Sequence, residues 1–325
     1  MRSAEMTPRP ASTVPITAAE AIALIEAAAA PGDLFGSGAV RCFRRLARLT
    51  HPDAMPGDAR AASAFAKLAA LWKQHQGAYG PLVARGDLAN LYQTHGGLLK
   101  LARDPADNDL MDREAAALTR IPRQATAFRA YFPRLIQSQR VQDPRTGSER
   151  RGNVIGALHG FVSLADVRAA FGGGVDPRDG AWMWRRLLVA IGAAHRAGVI
   201  HGAVLPEHVL IHPVSHGLVL IDWCYSGQPG QQLPAVVARY CDWYPPETFA
   251  RRPAGADIDI WLATSCITDL MGNRMPAPLA AFSRGCKLAS PARRPHDAWQ
   301  LLAELDDLLG RLYGPRKFRP FVIPA

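Results

Sequence analysis

The spacing of hydrophobic positions changes along the chain and divides it into blocks. Between Ala18 and Ala30, a run of alanines with Ile22, Leu24 and Ile25 predicts a helix closed by Pro31-Gly32. Next, Val40, Phe43, Leu46 and Ala47 fall on one helical face, and Arg41, Arg44, Arg45 and Arg48 on another. Pro52 disfavours helical backbone at His51, so this helix is expected to stop near Thr50. A following helix shows Phe65, Leu68, Ala69 and Trp72 at core spacing. Together these segments make a helical hairpin whose tip is His51-Pro52-Asp53, and 74–81, with Gly77, Gly80 and Pro81, reads as a linker.

Beyond the linker the period shortens. Leu82 to Tyr92 and Leu98 to Ala102 read as strands around a His95-Gly96-Gly97 turn, and the segment around Glu114 as a helix. Leu135 to Val141 and Asn153 to Leu158 read as further strands, separated by a basic turn from Asp143 to Arg151. Gly172-Gly173-Gly174 parts a short helix (Ser163 to Phe171) from a long one ending at Gly198, with Trp182, Leu187, Leu188 and Ile191 facing a core. A polar turn from His201 to His208 leads into two short strands, Val209 to His212 and Leu218 to Ile221, which deliver Asp222. A surface loop is expected from there to Tyr244, and a last helix from Asp297 to Tyr313 precedes a basic tail, 314–325, with Arg316, Lys317 and Arg319.

Composition narrows the class. With 325 residues, 48% hydrophobic and 20% charged, the chain suits folded domains, and only residues 1–15, rich in Pro, Ser and Thr, read as a disordered tail. No uncharged stretch reaches the roughly 18 residues of a membrane span, and no signal peptide is read. Five cysteines without Cys-x-x-Cys spacing argue for free thiols in a reducing cytoplasm rather than a zinc site or disulfide framework. The net charge of +10 raises nucleic acid as a partner, but the cations are scattered and no nucleic-acid motif is present, so none is expected.

Residues 33–76 resemble a J domain, the module through which co-chaperones engage heat-shock-70 ATPases. The resemblance rests on His51-Pro52-Asp53, on the basic helix before it, and on Phe65, Leu68, Leu71 and Trp72 after it. It implies that Arg41, Arg44, Arg45, Arg48, His51, Pro52 and Asp53 bind a heat-shock-70 chaperone. The usual tyrosine, the Gly/Phe-rich linker and the zinc-binding repeats are missing, which implies a specialised co-chaperone with a client of its own. The alternative is a solvated arginine face on a hairpin that serves only packing.

Residues 82–313 resemble the protein kinase superfamily. The motif H-R-D-x-K-P-x-N is matched in frame by His201, Gly202, Ala203, Val204, Leu205, Pro206, Glu207 and His208, and D-F-G by Asp222, Trp223 and Cys224. Lys100 and Glu114 stand where the family has its phosphate-holding lysine and that lysine's glutamate partner; Gly86 is the one glycine kept from the glycine-rich loop. Tyr244-Pro245-Pro246-Glu247, Asp257 to Trp261 and Arg293-Arg294-Pro295 resemble architectural motifs, which implies that Glu247 pairs with Arg294 and that Asp259 ties down the loop at His201.

These resemblances imply an α+β chain: a helical J-like module (16–76), a linker (77–81), and a two-lobed kinase-like fold with a small β-rich lobe (82–160) and a larger helical lobe (161–313). ATP and Mg2+ are the implied cofactors, with Gly86, Lys100, Glu114 and Asp222 on the nucleotide and Asp222 on the metal. The position of the catalytic base is Ala203, the lysine position is Leu205 and the second metal-binding position is His208, so the expectation is a pseudokinase-type signalling or scaffold protein. The alternative is an atypical kinase or other phosphoryl or nucleotidyl transferase, with His208 and Asp222 as candidate catalytic residues. His208 as a structural turn residue, Lys100 as an edge-strand lysine and Glu114 as a solvated helix residue are the plainer readings of each alone.

Overall fold

The computed structural model describes residues 17–35, 39–77, 79–142 and 148–324. The segment 1–15 lies outside them, as do Ile16 and 143–147 of the basic turn. The chain divides into two compact units, one holding residues 1–81 and 142–149, the other 82–141 and 150–325. Among the described residues no helix is long and apolar enough to cross a membrane.

The first unit is helical. Helix α1 (Ala18–Ala27) starts at Thr17, whose hydroxyl accepts the Glu20 N–H while the Glu20 carboxylate accepts the Thr17 N–H at 2.8 Å. The chain bends earlier than Pro31 suggests: Pro31 opens a short helix, α2 (Pro31–Leu34), because proline at a first helical position sacrifices no hydrogen bond. Helices α3 (Ala39–Thr50) and α4 (Ala59–Gly77) follow, and α4 continues through Gln74, into the stretch that reads as a linker. The core is built by Ile22, Ile25, Phe35, Leu46, Ala61, Ala64, Leu68 and Leu71, with Phe43 stacked on Trp72 at 4.5 Å between ring centres. Val40 and Ala69, expected inside, are exposed; the buried face of α4 runs Ala61, Ala64, Leu68, Leu71.

The second unit is α+β. Strands β1 (Leu82–Arg85), β2 (Ala89–Thr94), β3 (Gly97–Ala102), β4 (Leu135–Gln142) and β5 (Glu149–Ile155) form a sheet of order β1-β2-β3-β5-β4. The stretch 82–92 is two strands rather than one. Gly86 makes the break: its N–H donates to the Ala89 carbonyl at 2.9 Å, and a Cβ on it would lie 2.9 Å from that oxygen, closer than side chains tolerate. Arg150 and Arg151, expected in the basic turn, belong to β5. Helix α5 (Asn108–Gln124) carries Leu110, Met111, Leu118 and Ile121 into the core.

The remainder is mostly helical. A small sheet of β6 (Val162–Ser163), β7 (Val209–His212) and β8 (Gly217–Leu220) accompanies α6 (Leu164–Ala170) and α7 (Pro177–Arg196). On α7, Trp184, Leu187, Leu188 and Ile191 are fully buried, whereas Trp182 is half-buried and stacks on His216. Then come α8 (Pro246–Phe249), α9 (Ala256–Met271), α10 (Ala277–Cys286) and α11 (Ala298–Tyr313), the last capped by Asp297. The basic tail docks: Arg319 reaches Asp176 at 3.1 Å and Phe321 stacks on Phe171. Arg294 is buried and pairs with Glu247, with Asp257 at 3.3 Å and the Leu288 carbonyl at 2.6 Å, so the pairing that the resemblance implies is made and extended.

Candidate functional site

Lys100 is placed by strand register. In β3 it lies opposite Asn153 of β5, and both point to the side on which α5 packs. Its ammonium reaches Glu114 Oε1 of α5 at 2.8 Å and Asp222 Oδ1, just after β8, at 2.5 Å. The Asn153 amide donates to Glu114 Oε2 at 3.0 Å and to the Met111 carbonyl, fixing the glutamate that Lys100 needs. The plain readings of an edge-strand lysine and a solvated glutamate do not hold: both side chains are buried, and β3 lies between β2 and β5. Asn153 was not among the residues that sequence reasoning singled out for the site; it appeared only as the first residue of an expected strand.

Asp222 joins three segments. Its backbone is left-handed (φ 65°, ψ 60°), a conformation that aspartate tolerates better than most residues, though at some cost. Oδ1 faces Lys100, and Oδ2 lies 3.2 Å from His208 Nε2. Its side chain keeps 26% exposure against 7% for Lys100 and 2% for Glu114, so the cluster is reached from solvent at Asp222. Burial works against the charge on each, yet the neighbours outweigh it: Lys100 and His208 hold Asp222 well below the usual carboxylate range, and Asp222 with Glu114 holds Lys100 well above the usual amine range. Cys224 Sγ, whose thiol burial pushes well up, lies with Glu114 and Asp222 oxygens in a group of three donors within 4.8 Å of one another. The Lys100 ammonium binds two of those three, so the cation that this group holds is the lysine.

The loop 201–208, a turn with polar residues and a proline, is buried throughout 201–206. Burial leaves its N–H groups in need of acceptors, and Asp259 supplies them. From the first turn of α9, Asp259 accepts the His201 and Gly202 N–H groups at 2.8 Å each and faces His195 Nε2 at 2.8 Å. Gly202 is required by its left-handed φ of 75° and by the Tyr225 carbonyl, 2.7 Å from where a Cβ would sit. Ala203 and Leu205 are fully buried and carry no acid or base.

The two histidines of the loop have defined proton positions. His201 Nε2 lies 2.9 Å from the Ile221 carbonyl and must donate, while Nδ1 accepts the Ala203 N–H at 3.1 Å. This neutral form leaves no room for a second proton, and burial, only partly offset by Asp259, lowers His201 to about 4. A folded value below the ordinary 6.5 means that the unfolded chain binds the extra proton first, so stability falls as pH drops from about 6.5 towards 4. The loss should approach about 3 kcal/mol, and His201→Gln should flatten that limb of a plot of Tm against pH; an unchanged limb would refute it. His208 shifts the other way: burial lowers it, but Asp222 outweighs burial and raises it. Its contribution is therefore full below about 6.5 and is lost as pH rises through the elevated value.

A clasp that sequence reasoning missed crosses the front of this loop. Tyr240 donates to Glu207 Oε2 at 2.6 Å, and Arg239 reaches Glu207 at 3.4 Å and Asp87, beside Gly86 in the β1–β2 turn, at 3.9 Å. The segment 223–244 is thus two 3-10 turns held to the site, with Trp223 and Tyr225 buried, rather than a plain surface loop. A cavity of about 530 Å3 opens elsewhere, along α5 and β4 beside Thr119, Arg120, Arg123 and Ser138, and contains none of the clustered residues.

In the first unit, Arg41, Arg44, Arg45 and Arg48 are exposed along α3. His51, Pro52 and Asp53 form the turn after it, where His51 Nδ1 accepts the Asp53 N–H at 3.2 Å, its ring meets Phe65 edge to face at 5.0 Å, and the Asp53 carboxylate is 91% exposed. No protein-family model matches the chain.

The donor set suits a phosphate-bearing ligand with a divalent cation. A buried ammonium can neutralise phosphate oxygens, and a carboxylate beside an imidazole can hold a metal. In this arrangement Lys100, fixed by Glu114, would hold phosphate, and Asp222 with His208 would hold the cation. Gly86 is accounted for by the turn that it closes.

Proposed function

We propose that residues 82–313 form a two-lobed domain of the protein kinase type that binds ATP with a divalent cation and transfers phosphate poorly. The carrying observation is the convergence of Lys100, Glu114 and Asp222, from a strand, a helix and the end of a hairpin, next to a loop whose base position is Ala203. A bound metal–ATP complex supplies negative phosphate oxygens and a compensating cation. Lys100 would hold the phosphate, with Glu114 keeping it oriented. With alanine at position 203 no side chain there accepts a hydroxyl proton, and loss of a general base costs about 10²- to 10⁴-fold in rate. Calorimetric titration with ATP, with and without Mg2+, should show saturable binding that is lost in Lys100→Ala and Asp222→Asn. No binding by the unmodified protein defeats this reading. Label passing from ATP to protein, and lost in Asp222→Asn, would favour the transferase alternative instead.

In the same proposal the helical unit is a J-like module that recruits a heat-shock-70 ATPase to a client. Four exposed arginines beside an ordered His51-Pro52-Asp53 turn support it. The unmodified protein should stimulate the ATPase of a cognate heat-shock-70 protein, and His51→Gln should abolish the stimulation with the circular dichroism spectrum unchanged. No stimulation by the unmodified protein removes this role.

A further inference from the structure

His208 and Asp222 raise a question of donor chemistry that the nucleotide reading leaves open. His208 Nδ1 lies 2.8 Å from the Ala203 carbonyl, which can only accept, so Nδ1 carries a proton and Nε2 is the free position of the neutral ring. That Nε2 faces a carboxylate oxygen, Asp222 Oδ2, at 3.2 Å. Two lone-pair donors face each other there, and a cation, either a proton or a metal ion, must stand between them. The spacing suits a metal as well as a proton: donors bonded at about 2.1 Å and adjacent in the coordination shell lie about 3 Å apart, so a metal can replace the proton without moving either side chain. A backbone carbonyl on the far nitrogen is the usual way in which a ligating imidazole is oriented and its tautomer fixed. Lys100 occupies only Oδ1, so a metal at Oδ2 leaves the lysine cluster intact.

We infer that His208 Nε2 and Asp222 Oδ2 form a site for a divalent first-row transition cation, preferred over Mg2+. Imidazole nitrogen suits such ions, whereas Mg2+ takes oxygen donors and keeps its water. The inference rests on the nucleotide reading for the remaining ligands, which phosphate oxygens and water would supply; the two protein donors stand without it.

The test is cobalt titration of the full chain, followed by visible absorption, with and without ATP. A saturable band is expected in the unmodified protein, with cobalt bound at least about tenfold more tightly than in His208→Asn, a difference of about 1.4 kcal/mol, because imidazole nitrogen suits such ions better than an amide. The band should vanish in Asp222→Asn and yield to Mg2+ only at large excess. Mg2+ displacing cobalt at equal concentration, or no band under either condition, overturns the inference on the unmodified protein alone, whatever the variants do to folding. The two readings fail separately. A His208-dependent band without ATP binding keeps the metal site and removes the nucleotide. ATP binding with Mg2+ and cobalt alike, with a band indifferent to His208→Asn, does the reverse.

Discussion

Lys100→Met should cost about 3–5 kcal/mol of stability and, in the proposed nucleotide site, reduce ATP binding below detection. The substitution keeps the length of the stem but removes the one cation between Glu114, which is 1% exposed, and Asp222. A buried carboxylate deprived of its partner is the expensive half of a broken ion pair. Glu114 retains only the Asn153 amide and must take up a proton or draw in water. Denaturant unfolding measures the loss, and the double variant Lys100→Met/Glu114→Gln should recover much of it, because neutral groups are cheaper to bury than unpaired charges. Recovered stability without recovered ATP binding would separate the structural role of the lysine from its role as a ligand. A single variant as stable as the parent would mean that the cluster contributes nothing.

Asp259→Asn should be nearly as damaging, although it removes only one charge. Asp259 accepts two loop N–H groups and faces His195, and an amide has one oxygen where the carboxylate has two. The substituted NH2 would point at an N–H donor, leaving a buried polar group unsatisfied at about 1–3 kcal/mol, with the loss of charge-assisted bonds added to it. Burial raises the pKa of Asp259, but the His195 and loop contacts more than compensate, so the native group is ionised and the full set of bonds is present at neutral pH. Because Asp259 anchors the loop that carries His208, the proposed ATP binding should weaken along with a fall in Tm. A fall in Tm alone would show that the loop holds its shape without this anchor.

Much of this arrangement could be read from the order of residues, for a physical reason. Lys100, Glu114, His208 and Asp222 were legible because the motif frames of the kinase resemblance put them, in order, on a strand, a helix, a loop and the end of a hairpin; periodicity supplied only the elements that carry them. Asp259 sits in the first turn of a helix that is buried nearly all round, and its role at the loop was legible only through the resemblance. What escaped depended on contacts between distant segments. Nothing local to Arg239 and Tyr240 shows that they meet Glu207, and the tail that ends in Arg319 and Phe321 has no periodicity to show where it docks. The burial of the turn at 201–206 also depended on distant contacts. Asp259 accepts the His201 and Gly202 N–H groups and the Ile221 carbonyl accepts from the His201 ring, which permits burial of 201–206, while Glu207 stays partly exposed. The break at Gly86 and the extension of α4 past Gln74 are boundary effects, settled by a single hydrogen bond or turn.

The lysine cluster also sets how the protein should respond to acylating reagents. The chain has five lysines, and such reagents attack only the neutral amine. Lys100 is buried and kept protonated by two carboxylates, so it should be the last to be modified. Lys287 is its opposite: partly exposed above the Trp261 ring, with burial lowering its pKa, it should be modified early. The ratio of adducts at these two positions, read by peptide mass spectrometry, reports on the opening of the buried cluster and needs no ligand, no label and no assumption about what the site binds.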